Sequence, residues 1–424
     1  MPKEPTNAPG DVDRSEGFGE RLLGTLIDRA HEMPPQLIAP LVAEVIAVIG
    51  GRDVSVLLQD YDQLTLVPLP GRGLLSEPPM SIAGSLAGRA FLGDGLVEQA
   101  GSDGVRLFVP LLDGTDRVGV LAFSVDGCDD DDRRLVRRFA GLLADVLVTK
   151  GMYTDRFFQA RRRQPMSLSA EMQWALLPPL IMTNPQVAVA GILEPAYDVA
   201  GDSFDYALND DALHVAIIDA MGHGLNAAVM ATVAIAAYRH ARRHDVELPD
   251  LYAAMDRAIA GQFDEDHFVT VQMAHLDVTT GRLRWVNAGH PHALLLRRRR
   301  VIRALDSPTT MPLGLGGSDP QVSEEALEPG DRVLFFTDGI IEEHLPGGEI
   351  FGETRLIDLL EKVAQNGGPV QETVRRLSHA LKRARGEVTN DDATLFLLEW
   401  RGGAADHLAH VDPAALAPGP APFH

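Results

Sequence analysis

Four aspartates stand at the ends of apolar runs or in turns of small residues, and they are the residues best placed to do chemistry. They are Asp202, Asp219, Asp338 and Asp391. A single aspartate in such a turn is usually a turn former or a helix cap. Four clustered carboxylates repel one another unless a cation neutralises them, and ligand sets made only of oxygen select hard ions. The pattern therefore predicts a site for Mg²⁺ or Mn²⁺.

A pair of such ions suits the hydrolysis of a phosphate ester. Two metal ions that share a carboxylate hold a water as hydroxide and clamp the phosphate oxygens for in-line attack. This chemistry needs no protein nucleophile, and the sequence contains neither a Walker-type loop nor a cysteine-based phosphate loop, since Cys128 lies in an acidic stretch. His240 and His244 have a spacing that could hold zinc, but they stand among arginines. We interpret them as the polar end of a helix.

Strands are predicted next to all four aspartates. The runs are 203–208 after Asp202, 213–218 before Asp219, 333–336 before Asp338 and 393–399 after Asp391. A helical run begins at Leu225, directly after the glycine-containing turn that follows Asp219. Each carboxylate is therefore expected at the rim of a buried core rather than out in solvent.

A hairpin turn is predicted at Ala288-Gly289-His290. These residues lie between two apolar runs, 283–286 and 292–296, and glycine is a frequent hairpin residue. We therefore expect the two runs to be consecutive strands joined by a turn.

Composition and length limit the possible classes of protein. The chain has 424 residues, of which 45% are apolar and 23% charged, so two globular domains are expected. A formal net charge of -22 argues against binding to nucleic acid or to an anionic membrane. One cysteine excludes an internal disulfide framework. With no recognisable signal peptide or spanning segment, we expect a cytoplasmic protein.

The N-terminal half has helices that flank a run of antiparallel strands. Residues 19–150 resemble a GAF domain, and the resemblance depends on the segments 82–91, 107–111 and 118–121. It implies an α/β sensor for a small-molecule or protein signal. A generic α/β domain whose Gly and Pro residues only mark turns is the alternative. Residues 1–18 are expected to be disordered, and residues 401–424 to form a flexible tail.

A helical linker is predicted over residues 151–180. Leu168, Met172 and Leu176 form one apolar stripe, and Pro178 and Pro179 end the helix. Two interpretations stay open. The stripe packs on the following domain, or it pairs with its copy in a homodimer and transmits the state of the sensor.

Five motifs in the C-terminal half occur in the order of a known family. They are Gly201-Asp202-Ser203-Phe204-Asp205, Asp219-Ala220-Met221-Gly222-His223-Gly224, Asn287-Ala288-Gly289-His290-Pro291, Thr337-Asp338-Gly339 with Glu342, and Asp391-Asp392-Ala393-Thr394. With these motifs, residues 181–400 resemble the PPM-type (protein phosphatase 2C-like) Ser/Thr phosphatase domain in its bacterial SpoIIE-like branch. The resemblance implies an α-β-β-α sandwich, so the expected fold class is α/β (α+β) throughout.

The resemblance also implies roles for individual residues at a centre of two divalent ions. Asp219 would bridge both ions and, with Asp202, hold the attacking water; the other implied ligands are the Ala220 carbonyl, Asp338 and Asp391. Residues implied to support the ligands, or to replace them, are Asp205, Asp392 and His223. Exchange of roles between Asp391 and Asp392 stays open, and His223 is either a proton donor or, as we favour, structural, like His290. The sequence departs from the family at Ala200, where a glycine is usual, and we find no match for the phosphate-binding arginine of eukaryotic relatives.

These residues together predict a hydrolase. The resemblance implies a metal-dependent phosphatase for phosphoserine or phosphothreonine on a regulatory protein, expected to be an anti-sigma-factor antagonist, under the control of the GAF-like sensor. One alternative is a catalytically silent binding module, although the full set of acidic positions argues against it. Another is a GAF-linked nucleotide cyclase, in which the motif at Asp391 to Thr394 would have no role.

Overall fold

The structure of the protein is a computed structural model that describes residues 16–93, 95–114, 116–308, 310–345, 348–385 and 391–405. The chain divides into two compact units, Met1–Met166 and Ser167–His424. Most of the predicted disordered N-terminus, 1–18, and of the predicted tail, 401–424, lies outside the described residues. No helix in the described part of the chain combines the length and the apolar character needed to cross a bilayer.

The first unit is built on one antiparallel sheet of six strands. In chain order its elements are α1 (Glu16–Glu32), a 3-10 turn (Pro35–Leu37), α2 (Ile38–Val48), β1 (Arg52–Gln59), β2 (Thr65–Pro68), β3 (Met80–Ser81), α3 (Leu86–Gly93), β4 (Val97–Gly101), β5 (Gly104–Asp113), β6 (Asp116–Val125), α4 (Asp130–Gly151) and α5 (Arg156–Arg161). The strand order is β3-β2-β1-β6-β5-β4.

The side chains of β6 point alternately to the two faces of this sheet, and both faces are packed against helices. Leu121 and Phe123 pack with α1, α2 and α4, whereas Val120 and Ala122 pack with α3 on the opposite face. Successive side chains of a strand point to opposite faces, so a strand buried on both sides reads as a continuous apolar run. The unit therefore has the helix-flanked antiparallel sheet that the sequence predicts, and the resemblance to a GAF domain stays a prediction.

The second unit contains two sheets and five α-helices among its described residues. Its elements are α6 (Leu168–Leu176), β7 (Ile181–Thr183), β8 (Val187–Glu194), β9 (Asp202–Asn209), β10 (Ala212–Ala220), α7 (Gly224–Arg242), α8 (Leu248–Ala260), β11 (Val269–Asp277), β12 (Arg282–Ala288), β13 (Leu294–Arg297), β14 (Arg300–Ala304), β15 (Ser323–Ala326), β16 (Arg332–Phe336), a 3-10 turn (Asp338–Ile340), α9 (Gly352–Gln365), α10 (Val370–Arg385) and β17 (Ala393–Trp400).

These elements form four layers. One sheet, β15-β12-β11-β10-β9, packs on α7 and α8, and the other, β14-β13-β16-β17-β8-β7, packs on α9 and α10. Between the sheets, the ring of Phe396 lies 5.1 Å from that of Phe204 and 5.9 Å from that of Tyr206. The predicted mixed α/β class and the α-β-β-α sandwich are confirmed.

The predicted hairpin at Ala288-Gly289-His290 is wrong. β12 pairs with β11 and β15 in one sheet, whereas β13 pairs with β14 and β16 in the other. The segment is a crossover between the sheets, and the Asn287 side chain closes it by accepting from the His290 N–H (2.9 Å) and donating to the His290 carbonyl (2.7 Å). Two neighbouring apolar runs predict two strands, but they do not predict that the strands pair.

The helix α6, within the predicted linker, belongs to the second unit. It buries Ser169, Ala170 and Gln173, and the Trp174 indole N–H donates to the Ala196 carbonyl (2.7 Å). Packing on the following domain is therefore observed, but through the small and polar face. Leu168, at the head of the predicted stripe, is 63% exposed.

Candidate metal centre

Asp202 and Asp219 face each other across two neighbouring strands. β9 begins at Asp202 and pairs antiparallel with β10, so that Asp219, near the end of β10, is directly opposite. Side chains at such positions are neighbours on one face of the sheet, where like charges destabilise the pair. Asp202 is buried and Asp219 is half-buried. The two carboxylates are therefore held together against their own repulsion.

Two threonine hydroxyls hold the carboxylate of Asp202. Its Oδ2 atom accepts from Thr337 Oγ1 (2.6 Å) and from Thr394 Oγ1 (2.7 Å), and the Thr394 N–H donates to Thr337 Oγ1 (2.8 Å). Thr337 follows β16 and Thr394 lies at the start of β17, so this network joins three strands. The sequence analysis assigned no role to these threonines, although both stand in motifs beside the predicted aspartates.

Electrostatic repulsion marks Asp202 as a member of a cluster. Burial, followed by the charges of Asp219 and Asp392, raises the pKa of Asp202 well above its ordinary value of 3.8, and the two threonine hydroxyls only partly oppose this. A buried carboxylate among other carboxylates favours its protonated form unless positive charge is supplied. The site is therefore one that a cation would stabilise.

Asp338 joins this cluster because its negative charge acts on the carboxyl group of Asp219. Burial, then the charges of Asp338 and Asp391, raises the pKa of Asp219 to about 8. Burial and the charges of Glu342 and Asp391 also raise the pKa of Asp338. One proton shared between two carboxyl groups is how such a pair avoids a double negative charge.

The neighbours Asp391 and Asp392 have different surroundings. Oδ2 of Asp392 accepts from the N–H groups of Ala200 (2.8 Å) and Gly201 (2.7 Å), which fixes the loop that leads into Asp202. Asp391 is exposed, and its Oδ1 accepts only the Asp392 N–H among the described contacts (2.9 Å). This arrangement favours Asp391 as the ligand and Asp392 as the residue that positions the loop, the assignment preferred from the sequence.

Two glycines allow the loops of the cluster to approach closely. A Cβ atom on Gly201 would lie 2.5 Å from the Ala220 carbonyl oxygen, and one on Gly339 would lie 1.8 Å from the Asp392 carbonyl oxygen. Ala200 stands where the family usually has a glycine, and it is buried. The structure therefore accommodates a methyl group at position 200, whereas the close approach of Ala220 at position 201 requires glycine.

Replacing Gly339 by alanine is expected to destabilise the second unit by about 1–3 kcal/mol, as overpacking of a close contact does. The Asp392 backbone would have to move, and with it the loops of Asp391 and Asp202, so affinity for Mn²⁺ should also fall. Chemical denaturation and metal titration measure the two effects. Gly141→Ala is the control, because a Cβ there meets open space. Unchanged stability and unchanged affinity in Gly339→Ala would contradict this account of the loop.

Asp205 is not a member of the cluster. Its oxygens are engaged by Arg239 (2.7 Å) and Arg242 (2.7 Å) of α7, and the Asp205 side chain is 2% exposed. Along β9 it lies three positions from Asp202 and therefore points to the other face of the sheet, toward α7. In this structure the carboxylate of Asp205 anchors α7, and its supporting role at the metals stays a prediction.

The two histidines singled out in the sequence lie in different surroundings. His223 is exposed and precedes α7, and with Gly224 it lines a cavity of about 270 Å³ beside Asp391 and Asp392. His290 is buried, and burial lowers its pKa to about 4. The structural role expected for His290 agrees with its place in the crossover. The His223 side chain makes no capping hydrogen bond to α7, and its position leaves either role open.

The donor set fits hard divalent cations. Asp202, Asp219, Asp338 and Asp391 supply only oxygen, and their mutual repulsion is the feature that bound cations relieve. The predicted Ala220 carbonyl lies at the end of β10, next to Asp219. Within the described residues, no three His, Cys, Asp or Glu side chains form a group that could hold a metal ion as they stand in this structure.

The raised pKa of Asp219 gives the metal-free protein a defined pH dependence. A carboxyl group whose pKa is raised in the folded state stabilises the fold fully below its unfolded value of 3.8, and this contribution is lost as the pH rises through about 8. Through this effect of Asp219, the metal-free protein should melt at a lower temperature at about pH 8 than at about pH 6.

Bound metal ions should oppose this fall of Tm with rising pH, because their positive charge neutralises the carboxylates that have lost their protons. At about 100 times its Kd, a ligand stabilises the folded state by about 2.7 kcal/mol. Differential scanning fluorimetry with and without Mn²⁺ should show a larger rise of Tm at the higher pH, where protons compete less. A Tm that ignores Mn²⁺ at both pH values would show that the cluster does not bind it.

Comparison with known proteins decides the family of this part of the chain. Residues 209–401 match the family described as Stage II sporulation protein E (SpoIIE). These residues form a SpoIIE-family, PP2C-like phosphatase domain. The predicted family is confirmed, and with it the predicted class of protein phosphatase at the level of the family. The match includes Asp219, Asp338 and Asp391, and the structure adds Asp202 through its pairing with Asp219.

Individual relatives of the SpoIIE-family domain are distant. The chain is 22% identical over 263 residues to phosphoserine phosphatase RsbU of Bacillus subtilis, covering 60% of this chain and 77% of RsbU. It is 23% identical over 248 residues to phosphoserine phosphatase RsbP of the same organism, covering 57% of this chain and 59% of RsbP. The solved SiaA-PP2C domain of Pseudomonas aeruginosa aligns with 55% of this chain and 94% of that chain, at 21% identity and a TM-score of 0.47.

Proposed function

We propose that the protein is a metal-dependent phosphatase that hydrolyses phosphoserine or phosphothreonine on a regulatory protein. The observation that carries the proposal is the convergence of four aspartates from distant parts of the chain. Asp202 and Asp219 are opposite each other in the sheet, and Asp338 and Asp391 act on Asp219 electrostatically. This cluster lies in a SpoIIE-family domain, which supports phosphate-ester chemistry over other uses of clustered carboxylates.

We assign different roles at such a centre to different residues. When bound, two Mn²⁺ or Mg²⁺ ions supply an activated water and neutralise the phosphate oxygens. Asp219 and Asp202 hold and orient the ligand sphere, and the hydroxyls of Thr337 and Thr394 keep Asp202 in place. Asp392 positions the loop before Asp202 by accepting two backbone N–H groups.

The cavity beside the cluster supports recognition of phosphate through cations. Its described lining residues are Pro195, Asp198, Ala200, His223, Gly224, Asp391 and Asp392, which include no arginine or lysine. A phosphate dianion would be repelled by these carboxylates without metal. Substrate affinity should therefore depend on the same ions as catalysis.

The names of two relatives support a phosphoserine substrate. RsbU and RsbP are named phosphoserine phosphatases, and we propose the phosphoserine of an anti-sigma-factor antagonist as the substrate here. A catalytically silent module and a nucleotide cyclase are the competing classes. The complete set of aspartates disfavours the silent module, and the acidic cavity, whose described lining includes no arginine or lysine, disfavours triphosphate binding.

The deciding experiment is a phosphatase assay of the full chain. The protein should hydrolyse p-nitrophenyl phosphate and a phosphoserine peptide with Mn²⁺ or Mg²⁺ present, and chelation with EDTA should stop it. Incubation with ATP and Mn²⁺ should give no cyclic nucleotide. Failure to hydrolyse either phosphate ester with any divalent metal would overturn the proposal in favour of the silent module.

Regulation by the first unit is a further part of the proposal. The exposed Leu168 and the half-buried Met172 and Leu176 leave an apolar stripe on α6 that suits pairing with a second copy. We expect a homodimer whose phosphatase activity follows the state of the GAF-like unit. Light scattering that shows a monomer at all concentrations would remove the dimer from this scheme, and a comparison with a chain beginning at Ser167 tests the control by the first unit.

A further inference from the structure

An exposed apolar face begins at the candidate metal centre and continues along α7. Met221 is 37% exposed, Leu225 45% and Val229 37%. Leu225 and Val229 are four apart on α7 and therefore lie on one face of the helix, and Met221 stands three residues before the helix begins. The other large apolar residues that are exposed in the described part of this unit lie on separate elements: Leu168, Ile302, Met311 and Ile350. We call Met221, Leu225 and Val229 the α7 face.

The α7 face is not required for the fold. The helix packs on its sheet through Ala227, Met230 and Ala231, which are fully buried on its other side. A surface helix normally presents charged and polar residues to solvent. Here residues 220–238 contain no Asp, Glu, Lys or Arg, in a chain that is 23% charged. An uncharged and apolar outer face of this kind indicates a contact surface.

The position of the α7 face indicates which partner it meets. Met221 is two residues from Asp219, and His223 and Gly224, at the start of α7, line the cavity at the metal centre. The other residues that line this cavity include Asp198, Asp391 and Asp392. A protein that inserts a phosphorylated side chain must contact the surface next to the cavity, and its phosphate already brings negative charge to a chain of net charge -22. The uncharged surface of α7 is therefore the favourable one.

We propose that the α7 face is the docking surface for the folded phosphoprotein substrate, whose apolar side chains around the phosphorylated residue pack on Leu225 and Val229. This inference rests on the proposed phosphatase function and names where its protein substrate binds. A few side chains that become fully buried in an interface carry most of its binding energy. A folded substrate can make such contacts with Leu225 and Val229, whereas a small phosphate ester reaches only the metal centre.

The test uses the double variant Leu225→Gln/Val229→Gln in the full chain. Both side chains are exposed and glutamine favours helix, so the fold should be unaffected. The matched control is Ile302→Gln, because Ile302 is 47% exposed on the edge strand β14. The probes are p-nitrophenyl phosphate, a folded anti-sigma-factor antagonist phosphorylated on one serine, and a short phosphoserine peptide from the same protein.

We expect kcat/KM for the folded phosphoprotein to fall about tenfold in the double variant, which is about 1.4 kcal/mol, mostly through KM. Turnover of p-nitrophenyl phosphate and of the peptide should stay at the wild-type level, and Ile302→Gln should change none of the three. An unchanged kcat/KM for the folded protein overturns the proposal. So does an equal loss on all three substrates, or a loss of dimer in light scattering, which would assign the α7 face to a second copy.

The docking proposal and the proposed function fail differently. If the wild-type chain hydrolyses none of the three substrates with Mn²⁺ present, the phosphatase function itself is wrong. If it hydrolyses all three and the double variant behaves as wild type on the folded protein, only the docking surface is wrong.

Discussion

Replacing Asp219 by asparagine is expected to abolish hydrolysis of phosphate esters and to raise the Tm of the metal-free protein above about pH 8, where the Asp219 carboxyl is charged. Loss of partners that merely orient a metal ligand already costs about 10–100-fold in affinity or activity, so loss of a carboxylate that we propose to bridge both ions should cost at least about 100-fold. The rise in Tm has a separate cause. Burial and the charges of Asp338 and Asp391 raise the pKa of Asp219 to about 8, and a neutral amide removes that repulsion.

The measurement combines an assay with p-nitrophenyl phosphate, a Mn²⁺ titration and a thermal melt in EDTA. Asp211→Asn is a matched control, because Asp211 is an exposed aspartate that directly precedes β10, at its end remote from Asp219. It should keep wild-type activity and Tm. Wild-type hydrolysis by Asp219→Asn would remove Asp219 from the centre, and a lowered Tm in EDTA would show that its carboxylate stabilises the fold rather than straining it.

Replacing Asp205 by alanine is expected to have the opposite effect, a loss of stability of about 3–5 kcal/mol, which is typical when one partner of a buried ion pair is removed. Arg242 is only 7% exposed and would keep its charge without a carboxylate, whereas Arg239, at 25%, can turn toward water. The guanidinium of Arg242 also lies 5.0 Å from the centre of the Tyr238 ring, which limits its freedom to leave.

Urea denaturation measures this loss, and a Mn²⁺ titration below the unfolding transition should give wild-type affinity. The double variant Asp205→Leu/Arg242→Leu is the control, since replacing both partners by apolar residues should recover part of the stability. A loss of less than about 1 kcal/mol in Asp205→Ala would mean that the pair behaves as a surface ion pair. Reduced metal affinity in the folded variant would return Asp205 to the metal centre.

Asp219 and Asp205 show how far a sequence can assign such roles. Both are aspartates in or beside apolar strands, and both stand in motifs of the same family. Strand periodicity alone places Asp202 and Asp205 on opposite faces, but it does not say which face holds arginines. That information lies in Arg239 and Arg242, which are 34 and 37 residues away from Asp205 in the chain.

The crossover at Asn287 and the helix α6 show that a local sequence pattern predicts an element of the fold without predicting which element it pairs with or packs on. Apolar runs predicted the strands on both sides of the crossover, yet the strands belong to different sheets. The apolar stripe of α6 was recognised, yet the helix buries Ser169, Ala170 and Gln173 instead. In each case the local pattern was correct, and the partner was decided by contacts with other parts of the chain.

The sequence by itself determined the family of the second unit, the strands that end at the aspartates and the oxygen-only donor set. Each of these depends on residue types at short spacing, which a linear pattern records. Only the tertiary structure decided that Thr337 and Thr394 hold Asp202, although Thr394 is 192 residues away from it, and that Asp205 anchors α7. Hydrogen bonds and ion pairs between distant segments form only once the two sheets are packed, because it is this packing that brings their strand ends within bonding distance.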